Sequence, residues 1–287
     1  MFAIYKREVK SFFTSLTAYI FIAIYLVIFG RYFKVYNLDA GMTTIGYPML
    51  ASYWVYFLFS LLTMKSLPEE RKEKIDQLLF TSPVSMTKIV IGKYLAMCTV
   101  WFATFAVLCT CPLIINYFGH SELLTDYTLL VAYFFMGCVF IAVSMFISSL
   151  TESQLVAAIT SLVVVFLIGV ASQFSSRMTT SAYVSMIIFV GLCVILGVVA
   201  GILTRNGFFG AGVTLIGSLV ILLIFVINKN LFEGLIQKFI EKLALPMYLQ
   251  SIVNDNMVDI RIFVFFISVA ALFVFFTIQS LSKRRYS

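Results

Sequence analysis

Eight stretches of this chain are each long and apolar enough to cross a lipid bilayer, which a soluble fold of this size could not bury. A helical crossing needs about 20 apolar residues, at about 1.5 Å each, to span roughly 30 Å of hydrocarbon. The stretches run approximately 14–34, 47–65, 94–116, 127–149, 154–173, 182–203, 208–228 and 260–281. The pairs 127–149 with 154–173 and 182–203 with 208–228 are so closely spaced that each must form a tight helical hairpin. Lipid offers no partner to backbone N–H and C=O groups, so such stretches satisfy themselves as helices. The predicted fold is all-α, a polytopic membrane helical bundle forming a single domain over residues 1–287. Composition agrees, with 62% hydrophobic residues, 11% charged residues and a mean hydropathy of +1.04.

Charge is concentrated in Lys65–Lys93, KSLPEERKEKIDQLLFTSPVSMTKIVIGK, between two apolar runs. Ser66 followed by Glu69 fits a capping box, and Pro68 falls in the first turn, where its missing N–H costs nothing. Ile75, Leu78 and Leu79 then share one face, while Lys72, Glu73 and Asp76 point elsewhere. Ser82-Pro83 repeats the start signature, predicting a second helix that continues through Ile89 and Ile91 into the apolar run after Lys93. A short amphipathic helix, a break and a return to the bilayer make a bracket projecting from the membrane, a shape suited to a soluble partner.

Lys and Arg set the orientation, because cytoplasmic loops carry the excess. With the N-terminus inside, thirteen of the twenty fall on the cytoplasmic side, and the bias is strongest in the first loops. Both termini and the bracket are therefore expected in the cytoplasm, where ATP is. This placement accounts for the net charge of +7 without nucleic acid, for which no basic patch interleaved with stacking aromatics is present.

The residues Glu69-Glu70-Arg71-Lys72, Leu78-Leu79, Pro83-Val84-Ser85 and Ile91-Gly92-Lys93-Tyr94-Leu95 resemble the cytoplasmic signature of ABC-2 type transporter permeases, specifically the gliding-motility and NosY-like branch. So do Lys6-Arg7-Glu8 with Lys10–Ser15, Leu62-Thr63-Met64, the corner Ser148-Ser149-Leu150-Thr151-Glu152-Ser153-Gln154, and Asp259-Ile260-Arg261. The likeness covers about two thirds of the chain in order and is weakest over 175–230. Lys74-Ile75 stands where the family usually has Gly-Thr.

The resemblance implies a six-helix core, here with an extra hairpin, and a coupling helix within 66–92 seated in a groove of an ATPase subunit. It implies that Glu69, Glu70, Arg71, Lys72, Leu78, Leu79 and Pro83 dock that ATPase. An elbow helix at 1–13, bearing Lys6, Arg7 and Lys10, would brace it, and Glu152 would mark a second cytoplasmic contact. It further implies a second permease chain, as a homodimer or heterodimer, and an extracytoplasmic auxiliary subunit. ATP and Mg would be bound by the ATPase and no cofactor by this chain. The setting would be a bacterial plasma membrane.

From the residues alone, plainer readings stand beside these. Met1–Phe13 also suits a positive anchor in the headgroup region, the 66–82 charges a solvated face, and Glu152 a turn residue after Thr151. Residues 229–259 carry an apolar stripe opposed by Glu233, Gln237, Lys238, Glu241 and Lys242, interrupted at Pro246. They read as an extracytoplasmic amphipathic segment, either a membrane-surface strap, a gate or a partner's seat. Gly119–Asp126 reads as a solvated outer loop, and its lone His120 does not make a metal site. Cys98, Cys109, Cys111, Cys138 and Cys193 all lie in apolar runs and read as small hydrophobes. Met1–Lys10 has no small-residue cleavage site after it, so no cleaved leader is expected.

The chain has no phosphate-binding loop, no His-Glu-x-x-His and no Gly-x-Ser-x-Gly, so no catalytic residue is assigned, and no acidic relay is visible at membrane depth. The expected function is that of an exporter's permease subunit, coupled to ATP hydrolysis elsewhere. The alternatives are a non-transporting anchor through which an ATPase pulls on an extracytoplasmic partner, and a lipid-processing enzyme, which lacks its chemistry here.

Overall fold

The computed structural model describes residues 2–64, 66–68, 85–119, 122–151, 153–175, 182–187, 189–191, 193–194, 207–227, 235–255 and 259–286. Among these every regular element is helical. The elements are α1 Phe2–Thr14, α2 Leu16–Phe33 with a π-helical extension Lys34–Asp39, α3 Gly46–Ala51, a 3-10 turn Tyr53–Phe57, and α4 Leu58–Met64. Beyond the charged segment come α5 Met86–Leu108, α6 Cys111–Phe118, α7 Leu123–Leu150 and α8 Gln154–Ser175. Then follow α9 Gly207–Ile227, α10 Leu235–Leu243, α11 Leu245–Asp255 and α12 Ile260–Tyr286.

Five helical runs among the described residues are long and apolar enough to cross a membrane: Leu16–Asp39, Met86–Phe118, Leu123–Leu150, Gln154–Ala171 and Ile260–Lys283. Eight were expected. The expected 182–203 crossing lies partly outside the described residues, and α9 covers the expected 208–228 stretch. The 47–65 stretch is not one helix. Ser52 leaves helical geometry at φ −81°, ψ 35°, and the 3-10 turn after it tightens the coil, so Tyr53–Met64 spans only about 20 Å.

The chain divides into two compact units, residues 1–170 with 245–287, and residues 171–244. In the first unit α7 is central. Of its most apolar stretch 72% is buried, against 22–33% for the other four runs. It packs on α12, α4, α5 and α11. The outer helices show one buried stripe and one exposed apolar face, as lipid-facing helices do. On α2 the stripe is Ala18, Phe21, Tyr25, Phe29 and Phe33, while Leu16, Tyr19, Ile20, Ile24 and Val27 are exposed.

The buried stripes meet in an aromatic core. The Tyr25 and Tyr133 hydroxyls hydrogen-bond at 2.6 Å, and Trp101 lies 5.0 Å from Tyr25 and 5.1 Å from Phe59 between ring centroids. Trp101 Nε1 donates to the Phe134 carbonyl at 3.0 Å, closing the indole's donor where no water is available. This contact depends on Gly137: a β-carbon there would overlap the indole. Gly169 gives Tyr56 room in the same way.

The second unit has its own small cluster, Ala182 and Phe225 with Met186, Phe189 and Ile221 around them. It also holds α10, whose Lys238 and Lys242 are exposed and whose Gln237 Nε2 donates to Glu241 at 3.0 Å. The described part of the expected amphipathic segment 229–259 is thus two helices that fall in different units, with Pro246 in the first turn of α11. Helix α11 is no surface strap: Leu249 and Ile252 are fully buried, and it packs on α3 and α7. Asp126 likewise departs from the solvated loop expected of it, since α7 begins at Leu123 and buries the carboxylate completely.

Gly137→Val is expected to lower stability by about 1–3 kcal/mol or more through overpacking against Trp101. Gly30→Ala, where nothing lies within 4 Å of the new carbon, should leave it unchanged or raised. Thermal unfolding of the two purified variants in detergent checks both.

Candidate functional site

The charged segment leaves and re-enters the helical body at one place, where three pieces of chain converge. The first is α1. Its Tyr5, Glu8 and Phe12 recur at helical spacing on the face turned to the body, while Lys6, Arg7 and Lys10 are exposed. A break follows, with Ser15 extended and its hydroxyl donating to the Phe12 carbonyl at 3.0 Å, before α2 begins. The second piece is Ser66-Leu67-Pro68, all buried, with the Ser66 N–H bonded to the Thr63 carbonyl at 3.1 Å. The third is the start of α5. It begins at Met86, because Ser85 is extended at φ −68°, ψ 142° and its carbonyl accepts the Lys88 and Ile89 N–H groups. The helix expected to run continuously from Pro83 instead starts at Met86, after the extended Ser85; Pro83 itself lies outside the described residues.

Lys93 binds the three pieces together. It occupies a core position on α5, in the stripe Met86, Ile89, Val90, Lys93, Ala96, Met97, Val100, and is 1% exposed. Its ammonium lies 3.2 Å from Glu8 Oε1 and donates to the Ser66 carbonyl at 3.4 Å. Glu8 Oε1 also accepts from Arg7 Nη2 at 2.9 Å, on the exposed side. Six residues further along α5, the Thr99 hydroxyl meets the Tyr5 hydroxyl at 2.9 Å, so α1 is held at Tyr5 and Glu8, just under a helical turn apart. A buried ammonium needs this compensation, since an unpaired charge away from water costs several kcal/mol.

A second tie closes the same end of the body. The Ser280 hydroxyl of α12 donates to the Ser149 carbonyl at the end of α7, at 3.5 Å. Ser148 and Ser149, from the corner noted in the sequence, are both buried. Glu152 lies outside the described residues, as do Glu69, Glu70, Arg71, Lys72, Leu78, Leu79 and Pro83. What the described residues bring together is the root of the bracket rather than its tip. No cluster of three or more His, Cys, Asp or Glu that could hold a metal occurs among them.

Sequence reasoning left Glu8 and Lys93 out of the site. The signal was present: Lys93 falls on the buried stripe of an apolar helix, where a charge requires a partner.

The family model for ABC-2 family transporter proteins matches residues 2–206, which include α1, the whole charged segment and α5. The chain belongs to the ABC-2 transporter family. No curated protein matches it. As an ABC-2 family member with five candidate crossings, the chain is a multi-pass membrane component of an ABC transporter, and the family implies an ABC ATPase as partner. The Glu8–Lys93–Ser66 joint lies wholly within the matched stretch.

Lys93→Ala removes the buried cation beside Glu8, leaving it the more exposed Arg7, and is expected to cost about 3 kcal/mol. The double variant Glu8→Gln with Lys93→Met, which removes both charges, should recover much of that loss. Unfolding midpoints of the two proteins in the same detergent decide it.

Proposed function

We propose that this ABC-2 family member is an exporter's permease subunit, moved mechanically by a separate ATPase that grips the 66–92 segment. The observation that carries this reading is the joint at the segment's root. A docking helix can do work on the spans only if its ends are fixed to them, and Lys93 fixes the α5 end, the Ser66 end and α1 at one point. In this reading Leu78 and Leu79 are apolar knobs in a groove of the ATPase. Glu69, Glu70, Arg71 and Lys72 orient the segment by charge, and Pro83 shapes the return. Lys6, Arg7 and Lys10, exposed on α1, face the same partner, and Glu152 is a second contact.

Closure of two ATPase subunits on ATP and Mg would then shift the segment, swing α5 and α1 together about the Lys93 joint, and alternate the spans between inward and outward states. The pathway forms between two permease chains. Counting the broken 46–64 stretch with the five long runs gives six passages in the first unit, which supports a six-helix core. The second unit supports an added hairpin in the region least like the family. The gliding-motility and NosY-like branch, cytoplasmic termini in a bacterial plasma membrane, an auxiliary subunit outside and a chain that binds no cofactor complete the proposal.

The double variant Leu78→Asp with Leu79→Asp is expected to abolish co-purification with the ATPase while membrane insertion is unchanged. Retained binding and transport would remove the segment from the mechanism. Amine labelling of intact cells should leave Lys72 and Lys74 unmodified until the membrane is permeabilised, and labelling from outside would overturn the orientation.

A further inference from the structure

Away from the joint, at the far end of α2, the chain builds a second polar centre that the mechanism above does not use. The last turn of α2 widens into the π-helix Lys34–Asp39, a form that recurs at functional sites, and its one buried residue is Asn37. The chain then reverses through Gly41, whose φ of +68° suits glycine. This brings Met42 and Thr44 back over Asn37, whose Nδ2 donates to both carbonyls, at 2.8 and 2.9 Å. The Thr44 carbonyl is available because the residue four further on is Pro48, which has no N–H to give it.

Thr44 also joins this centre to α7. Its hydroxyl donates to Asp126 Oδ1 at 2.8 Å, and the Ile45 N–H donates to the same oxygen at 3.1 Å. Asp126 is 0% exposed. Its Oδ2 and the Asn37 Oδ1 are both buried and accept no hydrogen bond. Among the described residues no Lys or Arg lies within ion-pair distance of Asp126. Glu122, one turn earlier, is exposed and takes the Thr125 hydroxyl instead.

The centre therefore has two acceptors to spare and, with Asp126 ionised, one negative charge to neutralise. A water could donate to an orphaned oxygen but would leave the charge uncompensated in a place where that costs several kcal/mol. A metal cation supplies charge and needs only acceptors, and the two orphaned oxygens, one of a carboxylate and one of an amide, are of the kind a hard ion takes, with water completing its shell. With a single carboxylate present, a single positive charge balances it.

We infer that the Asp126–Asn37–Thr44 centre binds one monovalent alkali cation of sodium's class. The ion is a resident clamp that ties the 40–45 turn and the start of α3 to α7, and it is not the transported cargo. Gly46 bears on this: a β-carbon there would overlap Val253 of α11 and sit 3.0 Å from Leu129 of α7, so the turn is already pressed against its neighbours.

The probe is radioactive sodium on the purified full chain in nanodiscs of zwitterionic lipid, with choline replacing sodium at constant ionic strength. A saturable site is expected, along with a higher unfolding midpoint in sodium than in choline. Asp126→Asn should abolish both, and Asn37→Ala should weaken binding about tenfold. Asp259→Asn, at an exposed carboxylate, should leave binding intact. The wild-type protein decides the matter even if a variant fails to fold: absence of saturable sodium binding overturns the inference. So does binding that survives Asp126→Asn, and so does stabilisation by acid alone, which would give the charge to a proton.

Discussion

A bilayer supplies no water to polar groups at depth, so each one carried into it must close on a partner inside the protein. Many polar groups of the first unit follow this rule. Hydroxyls fold back on their own helices, as Ser161 does to the Ala157 carbonyl at 2.7 Å and Thr277 to Phe273 at 2.8 Å. Larger groups close between helices: Tyr25 on Tyr133, Trp101 on the Phe134 carbonyl, Tyr94 on the Cys138 carbonyl at 3.2 Å. Helix α7 supplies the partner in all three of these contacts between helices, by side chain or by backbone, and small residues such as Gly137 let it do so. Its central place in the unit follows from that role.

The same rule makes the charged groups informative. Lys93 could have stayed in water had the chain placed it on the exposed side of α5. Buried instead, it has to gather acceptors, and among them are Glu8 of α1 and the Ser66 carbonyl at the start of the charged segment. Its burial turns an electrostatic requirement into a mechanical connection. The segment's two roots cannot separate from each other, or from α1, without exposing a charge to an apolar medium. A partner that pushes on the segment therefore pushes on the ends of two membrane helices at once.

At the other pole the requirement is met differently. The 46–64 stretch is as apolar as the other crossings but contains Pro48 and Ser52, and it runs as two short helices joined by a 3-10 turn. The irregular backbone is tolerated because it is enclosed. Tyr56 sits against Gly169, Met49 and Val55 are buried, and α11 covers Gly46. Just before this stretch, Asn37 donates to the Met42 and Thr44 carbonyls, and Asp126 accepts from the Thr44 hydroxyl and the Ile45 N–H.

From the sequence alone, the helical class, the membrane setting, the extents of the long crossings and the family likeness could be read. Each rests on local or summed properties: run length, composition, and short motifs along one strand of chain. The amphipathic start was legible too, whereas the likeness expected to be weakest over 175–230 in fact extends through residue 206. Tertiary structure decided the pairings. That Glu8 meets Lys93, or Asp126 meets Thr44, depends on which faces of helices far apart in sequence are turned together, and periodicity gives a face without naming its partner. The same holds for the kink at Ser52, the helix start at Met86 and the division of 229–259 between two units. In each, packing between distant residues outweighed the local hydrophobic pattern, because in lipid an apolar run is content almost anywhere and only its few polar groups have a preferred address.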